Sequence, residues 1–240
     1  MKKYVFTGAV AVSAAMLAMP LAAHAETKIG SVDVSANVGF VTEYSFRGIA
    51  QSNEGPAVQG GFDLSHDSGL YAGIWGSSVE FNDASLETDL YAGYSHSIGN
   101  FSYDIGAIYY LYPETDRSQD LNFYEIAAAA GYDFDVASIS ASVNYSPDFL
   151  AGSGDAVYMN LAGNVPLPYD FSLNGHVGRQ IIEQNAAFGT PDYTDWGLGV
   201  AYTWKGIDMN LSYIDTDLKE PSECADGCDA KVIFGISHSF

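Results

Sequence analysis

The sequence predicts an all-β protein: a closed antiparallel transmembrane β-barrel of about twelve strands joined as an up-and-down meander. Three observations predict it. An export leader is followed by no helical membrane span, apolar and polar residues alternate with a period of two, and short connections take turns with long ones.

Lys2 and Lys3 precede an apolar run from Tyr4 to Leu21, and Ala23-His24-Ala25 offers small residues where a signal peptidase cuts. Residues 1–25 are therefore expected to be a signal peptide, and 26–240 a single outer-membrane barrel domain. After Ala25 no stretch reaches the eighteen or so apolar residues of a spanning helix, so a membrane span has to be made by strands. Composition narrows the choice further. Thirty acidic residues against nine basic ones, a net charge of -21, leave no basic surface for nucleic acid. The 25 glycines keep no three-residue period, which excludes a collagen.

The first strand reads Val34, Ala36, Val38 and Phe40 on one parity against Asp33, Ser35, Asn37 and Gly39 on the other. Trp196, Leu198, Val200, Tyr202 and Trp204 oppose Asp195, Gly197, Gly199 and Thr203 in the same way. Marking each such stretch predicts strands over 33–46, 57–66, 70–78, 86–96, 101–112, 122–134, 136–145, 156–165, 170–179, 193–204, 207–215 and 231–240. In 122–134 the alanines Ala127 to Ala130 suggest helix, but Tyr124, Tyr132 and Phe134 keep one parity through it.

His66-Asp67-Ser68-Gly69, Ser97-Ile98-Gly99-Asn100, Asp135, Pro166 to Tyr169 and Lys205-Gly206 are tight links. Longer polar connections are expected over 47–56, 79–85, 113–121, 146–155, 180–192 and 216–230. This sorting predicts one rim facing the periplasm and one facing outward. Closure follows from energetics, because strand amides facing hydrocarbon must all pair and only a closed sheet has no edge. Twelve tilted strands give a backbone diameter of about 24 Å, and the polar parity is too rich in Asp, Asn, Ser and Gly to fill it as a hydrophobic core.

Val232, Phe234, Ile236, His238 and Phe240 share one parity, and the chain ends on the aromatic. This resembles the terminal signal read by the bacterial barrel insertion machinery, which implies an assembly role for Phe240. Further stretches carry a second resemblance: Thr42-Glu43-Tyr44-Ser45-Phe46-Arg47-Gly48, Gly69-Leu70-Tyr71-Ala72-Gly73-Ile74-Trp75-Gly76, Tyr109-Tyr110-Leu111-Tyr112-Pro113 and Tyr193-Thr194-Asp195-Trp196. With them the chain resembles the TorF family of porins, also described as a conserved proteobacterial family of unknown function. The likeness spans the mature chain and is weakest between Gly152 and Asp192. It implies an outer-membrane pore in a Gram-negative bacterium, without a substrate and without catalytic residues.

In the register of the first strand, Glu43 and Arg47 share the inward parity near its outer end, four residues apart, and are expected to pair. Arg47 would then either hold the barrel or its outer loop closed or form a constriction. Glu87, Asp89, Asp104, Asp195 and Asp208 occupy the same polar parity, with Lys231 as the main opposing charge. Several like charges in a narrow lumen favour cations. Cys224 and Cys228 can form a local disulfide in an exported protein, and their spacing does not suit a CxxC metal or redox site. No metal or cofactor is expected. His176, beside Ser172 and Asn174 on one face, lacks the oriented nucleophile and third residue that hydrolysis needs, so the chain is expected not to be an enzyme. Aromatics including Tyr44, Tyr71, Trp75, Tyr112, Trp196 and Trp204 are expected in interfacial girdles.

Two functional expectations remain: a narrow porin for small hydrophilic solutes or ions with a weak cation preference, or a closed structural or partner-binding barrel. The expected partners are outer-membrane lipid, lipopolysaccharide, the insertion machinery and small solutes, with a monomer favoured over an oligomer.

Overall fold

The computed structural model describes residues 27–113 and 115–240; the signal-peptide expectation for 1–25 lies outside them. Twelve antiparallel strands close a barrel. They are β2 (Val32–Val41), β5 (Ala57–His66), β6 (Leu70–Phe81), β7 (Ala84–Ile98), β8 (Phe101–Leu111), β9 (Phe123–Asp133), β10 (Ser138–Ser146), β11 (Ala156–Pro166), β12 (Phe171–Ile182), β13 (Tyr193–Trp204), β14 (Ile207–Thr216) and β15 (Lys231–Ser239). Each pairs with its neighbours in sequence, and β2 closes the ring by pairing with both β5 and β15. An extra strand, β1 (Thr27–Ile29), pairs with β2 on the edge that β15 also uses. It takes over that edge where the chain ends: the Phe240 N–H donates to Ala36 O (2.8 Å), and the Ala36 N–H donates back to Phe240 O (3.2 Å).

The alternation seen in the sequence is the alternation of the wall. Val38, Phe40, Phe62, Ile74, Ile105 and Leu198 are among the large apolar side chains left exposed on the outer face. They form a belt far larger than the few hundred Å² of apolar patch usual on a water-soluble protein. Within the described residues no helix is long and apolar enough to cross a membrane, so any crossing is made by these strands.

One rim carries the tight turns after β5, β7, β9, β11 and β13. The other carries the longer connections over 42–56, 112–122, 147–155, 183–192 and 217–230. Two expectations change here. Residues 79–85 are not a long loop: β6 runs to Phe81 and β7 starts at Ala84, leaving a two-residue turn in which Asn82 takes the left-handed conformation (φ 50°) that Asn tolerates. The first strand also stops at Val41 rather than at residue 46. Residues 42–56 instead fold back into the barrel, carrying a small hairpin of β3 (Ser45–Phe46) and β4 (Ile49–Ala50).

The barrel interior is consequently of two kinds. Toward the turn rim it is lined by small polar residues such as Ser35, Ser65, Ser97, Ser140 and Asn164, which water reaches. Toward the loop rim it holds a packed cluster in which Tyr44 and the partly buried Phe46 of the first connection meet Tyr110, Tyr112, Phe123 and Phe149.

Candidate functional site

The site is the loop-side interior, and its centre is Arg47. Arg47 and Gly48 form the tip of the β3–β4 hairpin, and both have positive φ (50° and 84°). Two such residues make the tight hairpin turn whose twist matches the strands, but an arginine pays steric strain there that glycine does not. Gly48 is required by space as well, since a Cβ would overlap the Thr216 side chain and crowd Asp195. The turn sends the Arg47 side chain into the barrel, where it is 2% exposed.

Its guanidinium donates from Nη2 to both Glu125 oxygens (2.7 and 2.8 Å) and from Nη1 to Gln180 Oε1 (2.7 Å). It lies over the rings of Tyr158 (4.3 Å to the centroid) and Phe46 (4.7 Å). Glu125 also accepts from the Tyr110 hydroxyl (3.2 Å) and from Asn144 Nδ2 (3.0 Å), so strands β8, β9, β10 and β12 all bond into one network around the hairpin tip. A buried charge pair bonded through both Nη atoms holds its geometry, although Arg47 Nε has no partner among the described residues, and removing one member leaves the other desolvated and unpaired.

The expected pairing of Arg47 with Glu43 is not what forms. Glu43 pairs with Lys231 (2.8 Å), while Arg47 crosses the lumen to Glu125. The four-residue spacing would put both on one face only if the strand continued, and it ends at Val41. Glu125 was missed by the sequence reading. Its signal was present: in β9 it shares the inward parity of Phe123, Ala127 and Ala129, and the other charge on that parity, Asp133, stands at the turn end of the strand.

The other inward acids are held singly. Glu87 accepts from the hydroxyls of Tyr44 (2.8 Å) and Tyr112 (2.9 Å). Asp104 accepts from Tyr71 (2.9 Å), Asp208 from Thr203 (2.6 Å), and Asp195 from Tyr158 (3.2 Å), with His176 Nε2 at 2.8 Å. Asp89 is half-buried beside this group, with one oxygen lacking a partner. Arg47 and Glu87 thus both lie within the packed loop-side region, with separate partners, whereas Asp104 and Asp208 lie on the wall nearer the turn rim. Tyr44, Tyr71, Trp75 and Tyr112 leave the expected outer girdles and line or fill the interior. Tyr71 and Tyr91 lie flat against the wall over Gly93 and Gly73, where a Cβ would overlap their rings, and the Tyr91 hydroxyl reaches Asp63. Folded down in this way, they leave the turn-side interior clear.

The connection 217–230 closes over the hairpin from above. Cys224 and Cys228 are joined by a disulfide, and Gly227 O accepts from Ala50 N (2.8 Å) and from Lys231 Nζ (2.6 Å). Tyr193, Leu218 and both cysteines form a second apolar cluster there, against which Ile49 packs. Phe240, by contrast, is exposed at the turn rim, far from this region.

The chain belongs to a bacterial family of unknown function (Gcw_chp), whose profile matches residues 25–240. A comparison with curated proteins returns no match. Among solved structures, a KdgM porin matches with a TM-score of 0.60 and 11% identity over 86% of this chain and 99% of its own. A NanC porin gives 0.57 and 10% over 86% and 98%, and an outer membrane channel from Pseudomonas putida F1 gives 0.51 and 11% over 89% and 96%. At such identities the likeness establishes a porin-type barrel fold.

Proposed function

We propose that this Gcw_chp protein is a narrow channel of the bacterial outer membrane, passing small hydrophilic solutes or ions with a weak preference for cations. The turn rim faces the periplasm, and the hairpin of residues 45–50 forms the constriction. The observation that carries this reading is the contrast inside one barrel: a polar, water-reached half leads up to a closure made by an inserted loop rather than by the wall itself. A closure of that kind can yield without unpairing any barrel strand. The TorF resemblance and the porin-type fold support the same reading.

Charge supports the preference. Arg47 and Lys231 are each paired with one carboxylate, so Glu87, Asp89, Asp104, Asp195 and Asp208 leave the interior net negative. A KdgM porin has been solved with oligogalacturonate, a polyanion; an acid-lined passage disfavours such a permeant. The reading is non-enzymatic, and it gives His176, bonded to Asp195, a place in the wall. Lipid, lipopolysaccharide and the insertion machinery complete the proposed partners, and the barrel works as a monomer.

Single-channel recording in planar bilayers tests it. The expected result is low conductance with reversal potentials in a salt gradient favouring cations; stable anion selectivity overturns the preference. The second reading, a closed structural or partner-binding barrel, is favoured by the packing at the loop side, where Gln180, Asp195 and Ser146 are fully buried. It prevails if neither the native chain nor a variant with a loosened hairpin conducts.

A further inference from the structure

We propose that the inner wall holds a monovalent-cation site at Gly199, formed by Asn174, Asn210 and Ser212. The three strands β12, β13 and β14 bring these residues together in register: Asn174 is the cross-strand partner of Gly199, which is in turn the partner of Ser212, and Asn210 is the next inward residue of β14. Because Gly199 has no side chain, its neighbours lean over it. The point a Cβ would occupy lies 2.7 Å from Asn174 Oδ1, 2.7 Å from Ser212 Oγ and 3.1 Å from Asn210 Oδ1.

A second observation concerns two of these oxygens. Asn174 and Asn210 are 7% and 6% exposed, and the Oδ1 atom of each has no hydrogen-bond donor among the described residues. The amide nitrogen of Asn210 is engaged, donating to Ser212 Oγ, which leaves its carbonyl oxygen facing the same space. Buried acceptors without donors cost free energy, and a wall that gathers two of them beside a hydroxyl is suited to a positive ligand.

The donor set selects its charge. All three converging atoms are neutral oxygens, the type that replaces the hydration shell of sodium or potassium; divalent ions draw on charged carboxylates. Asp195 lies on the inward row of β13 toward the loop rim and Asp208 on that of β14 toward the turn rim, giving a negative field from both sides. Over the inward positions of 172–180, 195–203 and 208–216, His176 is the one basic side chain, and it is bonded to Asp195. As a resting place for permeating cations the site rests on the channel reading; as a binding site it does not.

Thermal unfolding of the purified barrel in detergent tests it, followed by heat-modifiable migration, with sodium, potassium and choline chloride compared at equal ionic strength. The expected result is a rise of about 2–4 °C in sodium or potassium over choline, corresponding to ligand linkage in a chain of this size. Asn174→Leu and Asn210→Leu should abolish that difference while still migrating as folded barrels. Equal unfolding in all three salts means that the oxygens carry water and overturns the site, and so does an alkali-cation response retained by both variants. The native comparison stands even where a variant does not fold. Selective stabilisation without conductance would keep the site and remove the channel, whereas conductance without selective stabilisation would do the reverse.

Discussion

The two halves of the barrel interior share the same strands, the same alternation and the same glycine-rich wall, yet one is packed and the other admits water. What differs is the connection each rim can send inside. The turns after β5, β7 and β13 are too short to re-enter, and the wall there presents Ser35, Ser65 and Ser97. The long connections contribute Tyr44, Phe46, Arg47, Phe149 and Leu218, which build a core inside the cylinder. The wall therefore sets the container, and its loops decide whether the container is filled.

The strongest way to break this contrast is Arg47→Ala. It leaves Glu125 buried and unpaired, and should cost about 3–5 kcal/mol of hairpin docking. Protease cleavage within 42–56 and a rise in conductance would report the release. Arg47→Met combined with Glu125→Leu should restore most of the protection, because no charge is then stranded. Unchanged protection in Arg47→Ala would mean that Tyr44 and Phe46 hold the hairpin without the ion pair.

Thiol labelling compares the halves directly. Ser65→Cys and Ser140→Cys should react at least about 100-fold faster with a charged reagent than Ser77→Cys and Ser146→Cys, which require an opening of the packed region. Similar rates at all four positions would erase the distinction. A smaller effect belongs to the cover over the hairpin. Replacing Cys224 and Cys228 together by Ser should destabilise the 217–230 connection by about 2 kcal/mol, given the short loop they close. Hydrogen exchange at Ala50, bonded to Gly227 O, would measure it, with barrel unfolding unaffected. The least effect is expected from Tyr91→Phe, which removes one hydrogen bond to Asp63 at about 1 kcal/mol while the ring keeps its seat on Gly73. Labelling at Ser65→Cys should not change; if it slows, the hydroxyl is what holds the ring off the lumen.

Much of the wall was legible because its signal is local. In β13, Trp196, Leu198 and Val200 face out and Asp195, Gly197 and Gly199 face in, as a backbone with a period of two dictates. Legibility stopped where the chain left the wall. Extending the first strand to residue 46 placed Glu43 beside Arg47, and treating aromatics near strand ends as girdles placed Trp75 and Tyr112 outside. Both errors come from reading a side chain's direction from its own segment when it is the packing of other segments that rewards an inward turn.

The sequence by itself determined the meander, the apolar belt and the tight turns of one rim, since each depends on residues within one strand or one link. The tertiary structure alone decided that Arg47 binds Glu125 and Gln180, which lie 78 and 133 residues further along the chain. That contact exists only after twelve strands have closed a space for the first connection to enter, and burial then makes a scattered set of polar groups into a single network.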